Sequence, residues 1–89
     1  VKAWKDFTTN RPQPHDDNGH GTHVAGTIAG GNASQTQIGV APKADLVVGR
    51  IFEASGGATL DDILLAMQWM ADPDGNPNTA DAPRLVSNS

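Results

Sequence analysis

Three glycines, Gly21, Gly26 and Gly30, fall inside one stretch of small residues running from His20 to about Gly31. Val24 and Ile28 are four apart and share a helical face, while Ala25 and Ala29 keep the helix slim. Glycine inside a helix costs roughly 1 kcal/mol against alanine. A helix that carries three of them is expected to need the close approach of a neighbouring backbone.

Around this helix the chain alternates in type. Residues 1–19 read as polar and irregular, with Pro12 and Pro14 excluding a helix. Trp4 and Phe7 there read as one side of a packing contact. Residues 31–44 form a loop of Gly, Asn, Ser, Thr and Gln. Leu46 to Phe52 is a short apolar run of the kind that parallel strands adopt when both faces are covered. Gly56-Gly57 breaks it. Thr59 then offers an N-cap, with Asp62 three positions on in capping-box style, and Asp61 and Asp62 suit a helix N-terminus. Leu60, Ile63, Leu64, Met67 and Met70 or Ala71 follow the 3.6 period, which predicts a helix with a core-facing stripe. Asp72 to Pro83 reads as a polar loop and residues 84–88 as a second strand. Strand, helix, strand makes a βαβ unit with a right-handed crossover. The expected fold class is therefore α/β, a slice of a parallel sheet plus the histidine-bearing helix, with bare faces and open edges.

Composition narrows the partners. The 89 residues carry a net charge of −4, and the six basic residues are scattered, so nucleic acid is not expected. No apolar run reaches the length of a membrane span. Cysteine is absent, which excludes disulfides and thiolate metal sites. Val1 opens without methionine or a signal peptide, and the run Leu85 to Ser89 stops without a turn signal. Residues 1–89 are therefore expected to be part of one larger domain, with self-association through the open sheet edges as a further expectation.

The chemistry concentrates in His15-Asp16-Asp17-Asn18-Gly19-His20-Gly21-Thr22-His23-Val24-Ala25-Gly26. A histidine opening a helix feels the positive end of the dipole, which disfavours the imidazolium and leaves a ring able to accept a proton. Gly21 leaves room beside that ring. A neutral imidazole with one free nitrogen is what a general base requires.

The run His20-Gly21-Thr22-His23-Val24-Ala25-Gly26 resembles the histidine signature of the subtilases, the subtilisin-like serine peptidases. Gly39-Val40-Ala41-Pro42, Arg50-Ile51-Phe52, Ser55-Gly56-Gly57 and Val86-Ser87-Asn88-Ser89 resemble the later segments of that family in order. Gln68-Trp69-Met70 with Asp74 to Asn78 is similar to its bacillopeptidase F-like branch. The resemblance implies a partial three-layer subtilisin-like fold and a secreted or periplasmic serine endopeptidase acting on peptides or proteins. It implies that His20 is the general base and that His23 is structural. It further implies that Asn18 and Gly19 edge the cleft, that Gly56, Gly57 and Leu60 form one substrate wall, and that Ser89 lies at the foot of the other.

The departures carry equal weight. No Asp-Ser/Thr-Gly motif supplies the orienting aspartate, and no Gly-Thr-Ser-Met supplies the nucleophile. The resemblance places Asp16 and Asp17 at the cleft edge and the helix lead-in. The chain alone is therefore expected to be inactive. In many family members the loop equivalent to Gly31–Ile38 wraps calcium, but Ala33 stands where an asparagine is usual, so no cofactor or metal is expected.

Other readings of the same residues stand beside these. His20 and His23, with Asp16 or Asp17, could be read as a metal set, although the spacing matches no standard zinc motif. His15 reads as a solvated loop residue. Asp72 to Asn76 looks like a calcium loop, but its glycine falls at the fourth position and no glutamate follows at the twelfth, so a surface turn is expected.

Overall fold

A computed structural model describes residues Val1–Ser89. The strand pair is not the one the apolar pattern suggests. Ala3–Asp6 forms β1 and Val47–Arg50 forms β2, and the two run parallel in the register Ala3 to Val47, Trp4 to Val48, Lys5 to Gly49 and Asp6 to Arg50. The ladder is extended by Lys2 N donating to Leu46 O at 2.6 Å and Phe7 N to Arg50 O at 2.9 Å. The expected irregular N-terminus thus holds a strand. Residues 84–88 do not form one: Leu85 is 91% exposed and no backbone hydrogen bond involves this stretch. A strand needs a neighbour to take its amides, and β2 is paired to β1.

Between the strands lies α1, His20–Ala29. After β2 comes α2, Leu60–Ala71, where Thr59 Oγ1 accepts from Asp62 N at 3.2 Å and forms the predicted cap. The α2 helix packs on β2, whereas α1 packs on none of the other three elements. Trp69 and Met70 close over Gly49, and the Phe7 ring meets Trp69 edge-on at 6.0 Å. Ala66 is buried and Ile63, Trp69 and Met70 are half-buried, while Leu60, Leu64 and Met67 face outward. The predicted stripe is therefore only partly a core. Two short strands are too narrow to cover both of its rows.

Of the three glycines, Gly26 meets nothing, a Cβ at Gly21 would only touch the Asp16 carboxylate at 3.9 Å, and Gly30 alone is closely approached. A Cβ there would sit 2.6 Å from Gly26 O and 3.1 Å from Ile38. One at Gly39 would sit 2.3 Å from Gly30 N. The two glycines let the chain fold back against the end of α1. Val40 N and Ala41 N then donate to Thr27 O and Ile28 O at 3.1 and 2.7 Å, and so satisfy carbonyls that a helix C-terminus leaves free.

Candidate active site

His20 is the first residue of α1. Gly19 before it has φ 99°, a left-handed conformation open to glycine. The helix start is held by acceptors that precede it. Asp16 Oδ1 accepts from Asn18 N at 3.0 Å and Gly19 N at 2.8 Å. Its other oxygen takes Thr22 N at 2.8 Å and the Thr22 hydroxyl. The Asn18 side chain accepts from His20 N at 3.3 Å. Bonding to the Thr22 hydroxyl, and then to the amides of Gly19, Asn18 and Thr22, holds the Asp16 carboxyl well below the ordinary range. Asp16 is thus spent on the helix lead-in.

The His20 ring is exposed and meets Phe52 edge-on at 6.1 Å and 83°. Phe52 follows β2 and leads into a turn closed by Glu53 N to Gly57 O and Gly56 N to Glu53 O, each 2.8 Å. Gly56 and Gly57 therefore lie in the turn that follows the residue in contact with His20, and Leu60 opens α2, 70% exposed. Asn18 and Gly19 lie directly before the histidine. The Ser89 hydroxyl meets that of Ser87 at 3.0 Å. His23 is exposed on α1.

The residues least visible in the sequence form the tightest cluster. Asp6 ends β1 with its side chain fully buried. It accepts from Thr8 N and Oγ1 at 2.8 and 2.7 Å, Thr9 N and Oγ1 at 3.1 and 2.7 Å, and Arg50 Nη1 at 3.2 Å. Burial alone would raise this carboxyl, but the threonine hydroxyls and amides reverse the balance and hold it far below the ordinary range. The Asp6-Phe7-Thr8-Thr9 order, an aspartate followed by two hydroxyl residues, was the available signal. His15 is not solvated: its side chain is 11% exposed and its ring lies 5.6 Å edge-on from Trp4. Its Nδ1 must donate to Gln13 O at 3.1 Å, because a carbonyl only accepts. Its Nε2 then accepts from Arg50 Nη1 at 2.8 Å.

Three places were candidates for a metal, and His20 and His23 with Asp16 or Asp17 do not bring three ligand atoms together. The Gly31–Ile38 loop closes on itself through Ile38 N to Gly31 O at 3.2 Å. Its hollow is lined by Gly31, Asn32, Gln37, Pro42 and Lys43, with no carboxylate and with a lysine. Calcium takes about six to eight oxygens, commonly including carboxylates, and this donor set does not fit it. In the α2 exit turn, Asp72, Asp74 and Asp81 bring one oxygen each within 4.8 Å. Asp74 is engaged within the turn by Thr79 Oγ1 and by Asn76 N, the latter at 2.8 Å. Burial first, then Asp74 and the negative charge of Asp81, push the Asp72 carboxyl up.

The residues thus form a parallel α/β unit that presents a histidine at a helix N-terminus, beside the end of a strand. The model of the Subtilase family matches residues 1–89. Bacillopeptidase F of Bacillus subtilis is 43% identical over 97% of this chain, which covers 6% of that protein. The thermostable alkaline protease of Halalkalibacterium halodurans is 44% identical over 71% of the chain, and Subtilisin Savinase of Lederbergia lenta 41% over 78%. The chain covers 18% and 26% of those two. This chain belongs to the subtilase family, and its fold is a partial α/β subtilisin-like fold.

Proposed function

We propose that the chain carries the general-base segment of a serine endopeptidase, with His20 as the base. The observation that supports this best is the placement of His20: first residue of a helix, exposed, its ring free of side-chain hydrogen bonds and resting on Phe52. The helix end disfavours a charged ring and so favours the proton-accepting form. His20 then takes the proton of a serine hydroxyl as it attacks the scissile carbonyl, and returns it to the leaving amine. An aspartate holding the other ring nitrogen and the serine itself come from outside these residues. The four serines present, Ser34, Ser55, Ser87 and Ser89, lie in no nucleophile motif. The isolated chain is accordingly inactive, Asn18, Gly19, Gly56, Gly57 and Leu60 border the peptide substrate, and Ser89 belongs to the opposite wall. By family resemblance the enzyme works outside the cytoplasm.

Peptide hydrolysis by the complete reading frame tests this. His20→Ala is expected to lower kcat by about four to six orders of magnitude while the variant keeps the parent's circular dichroism and thermal transition. Retained turnover in that variant would overturn the reading.

A second, non-enzymatic reading rests on the outward row of Leu60, Leu64 and Met67, each more than half exposed, and on the two open strand edges. In it the 89-residue chain self-associates. Light scattering that gave a monomer mass at all concentrations would dispose of it.

A further inference from the structure

We propose that Arg50 is a positioning residue for His20, acting through Asp17 to set where the N-terminus of α1 stands relative to the sheet. The inference rests on the reading of His20 as general base and extends it to how that base is held.

The α1 helix packs on no other element. Its C-terminal end is held by the amides of Val40 and Ala41. Its N-terminal end, where the histidine sits, is placed by the segment that caps it. Asp16 grips the first turn through Thr22, and its chain neighbour Asp17 is gripped from the sheet. The grip is Arg50, at the end of β2. Its Nη2 donates to Asp17 Oδ2 at 3.1 Å, and its Nη1 donates to Asp6 Oδ2 at 3.2 Å and to His15 Nε2 at 2.8 Å. The Arg50 side chain is 11% exposed and the Asp6 side chain fully buried, so this end of the fork is fixed in the sheet. A guanidinium is planar and always charged, and its fork sets direction as well as distance. The line therefore runs from a buried carboxylate on β1, through a rigid fork on β2, to the loop that starts the catalytic helix. A displacement of about 1 Å at a reacting group costs up to about a hundredfold in rate, so losing the fork is felt at His20 without contact between the two.

The test uses the complete reading frame that carries this chain, with His20→Ala as the reference for loss of the base. Arg50→Met is expected to lower kcat about tenfold or more with KM within about twofold, and Arg50→Lys, which keeps the charge but loses the fork that reaches Asp6, His15 and Asp17 together, to recover only part of that loss. Asp17→Asn, at a side chain 42% exposed, is expected to fold normally and lower kcat several-fold. Combined with Arg50→Met it should add little, because the two act in one line. If His20→Ala abolishes turnover while Arg50→Met and Asp17→Asn match the parent in kcat, the positioning role is overturned and the general-base reading stands. If Arg50→Met does not fold, Asp17→Asn decides alone. Turnover surviving His20→Ala overturns both.

Discussion

Asp6 is the residue on which the local chemistry turns. Its carboxylate is buried and saturated by donors, so removing it strands Arg50 against the sheet. Asp6→Ala is expected to destabilise by roughly 3–5 kcal/mol, the usual cost of breaking a buried charged pair on one side, read as the loss of a cooperative thermal transition. The same carboxylate sets a pH dependence. Its folded value lies below the ordinary 3.8, so its contribution is fully present above that value and is lost as pH falls below it. Asp16 and Asp74 are shifted in the same direction. Asp72 is raised, and its contribution is lost as pH rises. Thermal melts between about pH 5 and about pH 2 should show falling stability, and Asp6→Asn should flatten that slope. An unchanged slope would mean that another group governs the acid limb.

The elements differ in how plainly the sequence announces them. Both helices were legible to within a residue or two, because their apolar spacing, caps and breakers are local. The α2 cap at Thr59 is a property of four consecutive residues. Strand pairing was not legible. Leu46 to Phe52 reads as a strand from its own composition, but Ala-Trp-Lys-Asp at 3–6 becomes one only through a ladder with residues more than 40 positions away. Leu85-Val86 has the better strand composition and remains unpaired. At the site, the motif pointed to His20. Asp6, His15 and Arg50 gather through the same long-range pairing and left only the Asp-x-Thr-Thr hint. Two glycines, Gly39 packed against the end of α1 and Gly26 inside the helix, give a test of opposite signs. Gly39→Ala drives a Cβ into the Gly30 backbone and is expected to cost about 1–3 kcal/mol. Gly26→Ala meets nothing within 4 Å and is expected to stabilise by up to about 1 kcal/mol. Denaturant midpoints of the two variants check both.

At the scale of the whole molecule the interior is slight: three of the 89 residues are buried, and one of those is the charged Asp6. Stability in such a chain is uneven. The β1–β2 ladder and the face of α2 above it share the little apolar packing there is, whereas α1 hangs from its two ends. Amide exchange should therefore rank Val48–Arg50 and the Ala66–Met70 turn slowest and the middle of α1 faster; slower exchange in α1 than in β2 would contradict this arrangement. The way α1 is hung also bears on how the chain tolerates change in length. Gly30 and Gly39 lie back to back, joined by Gly39 N to Gly30 O at 2.9 Å, so the segment between them leaves and re-enters the fold at nearly one point. Extra residues inserted between Asn32 and Thr36 would enlarge that excursion without moving its base, at an entropic cost of only about 0.6 kcal/mol for a doubling of length. Residues 32–36 are thus a natural graft site, where a foreign epitope or a purification handle can be carried without disturbing the histidine at the other end of the helix.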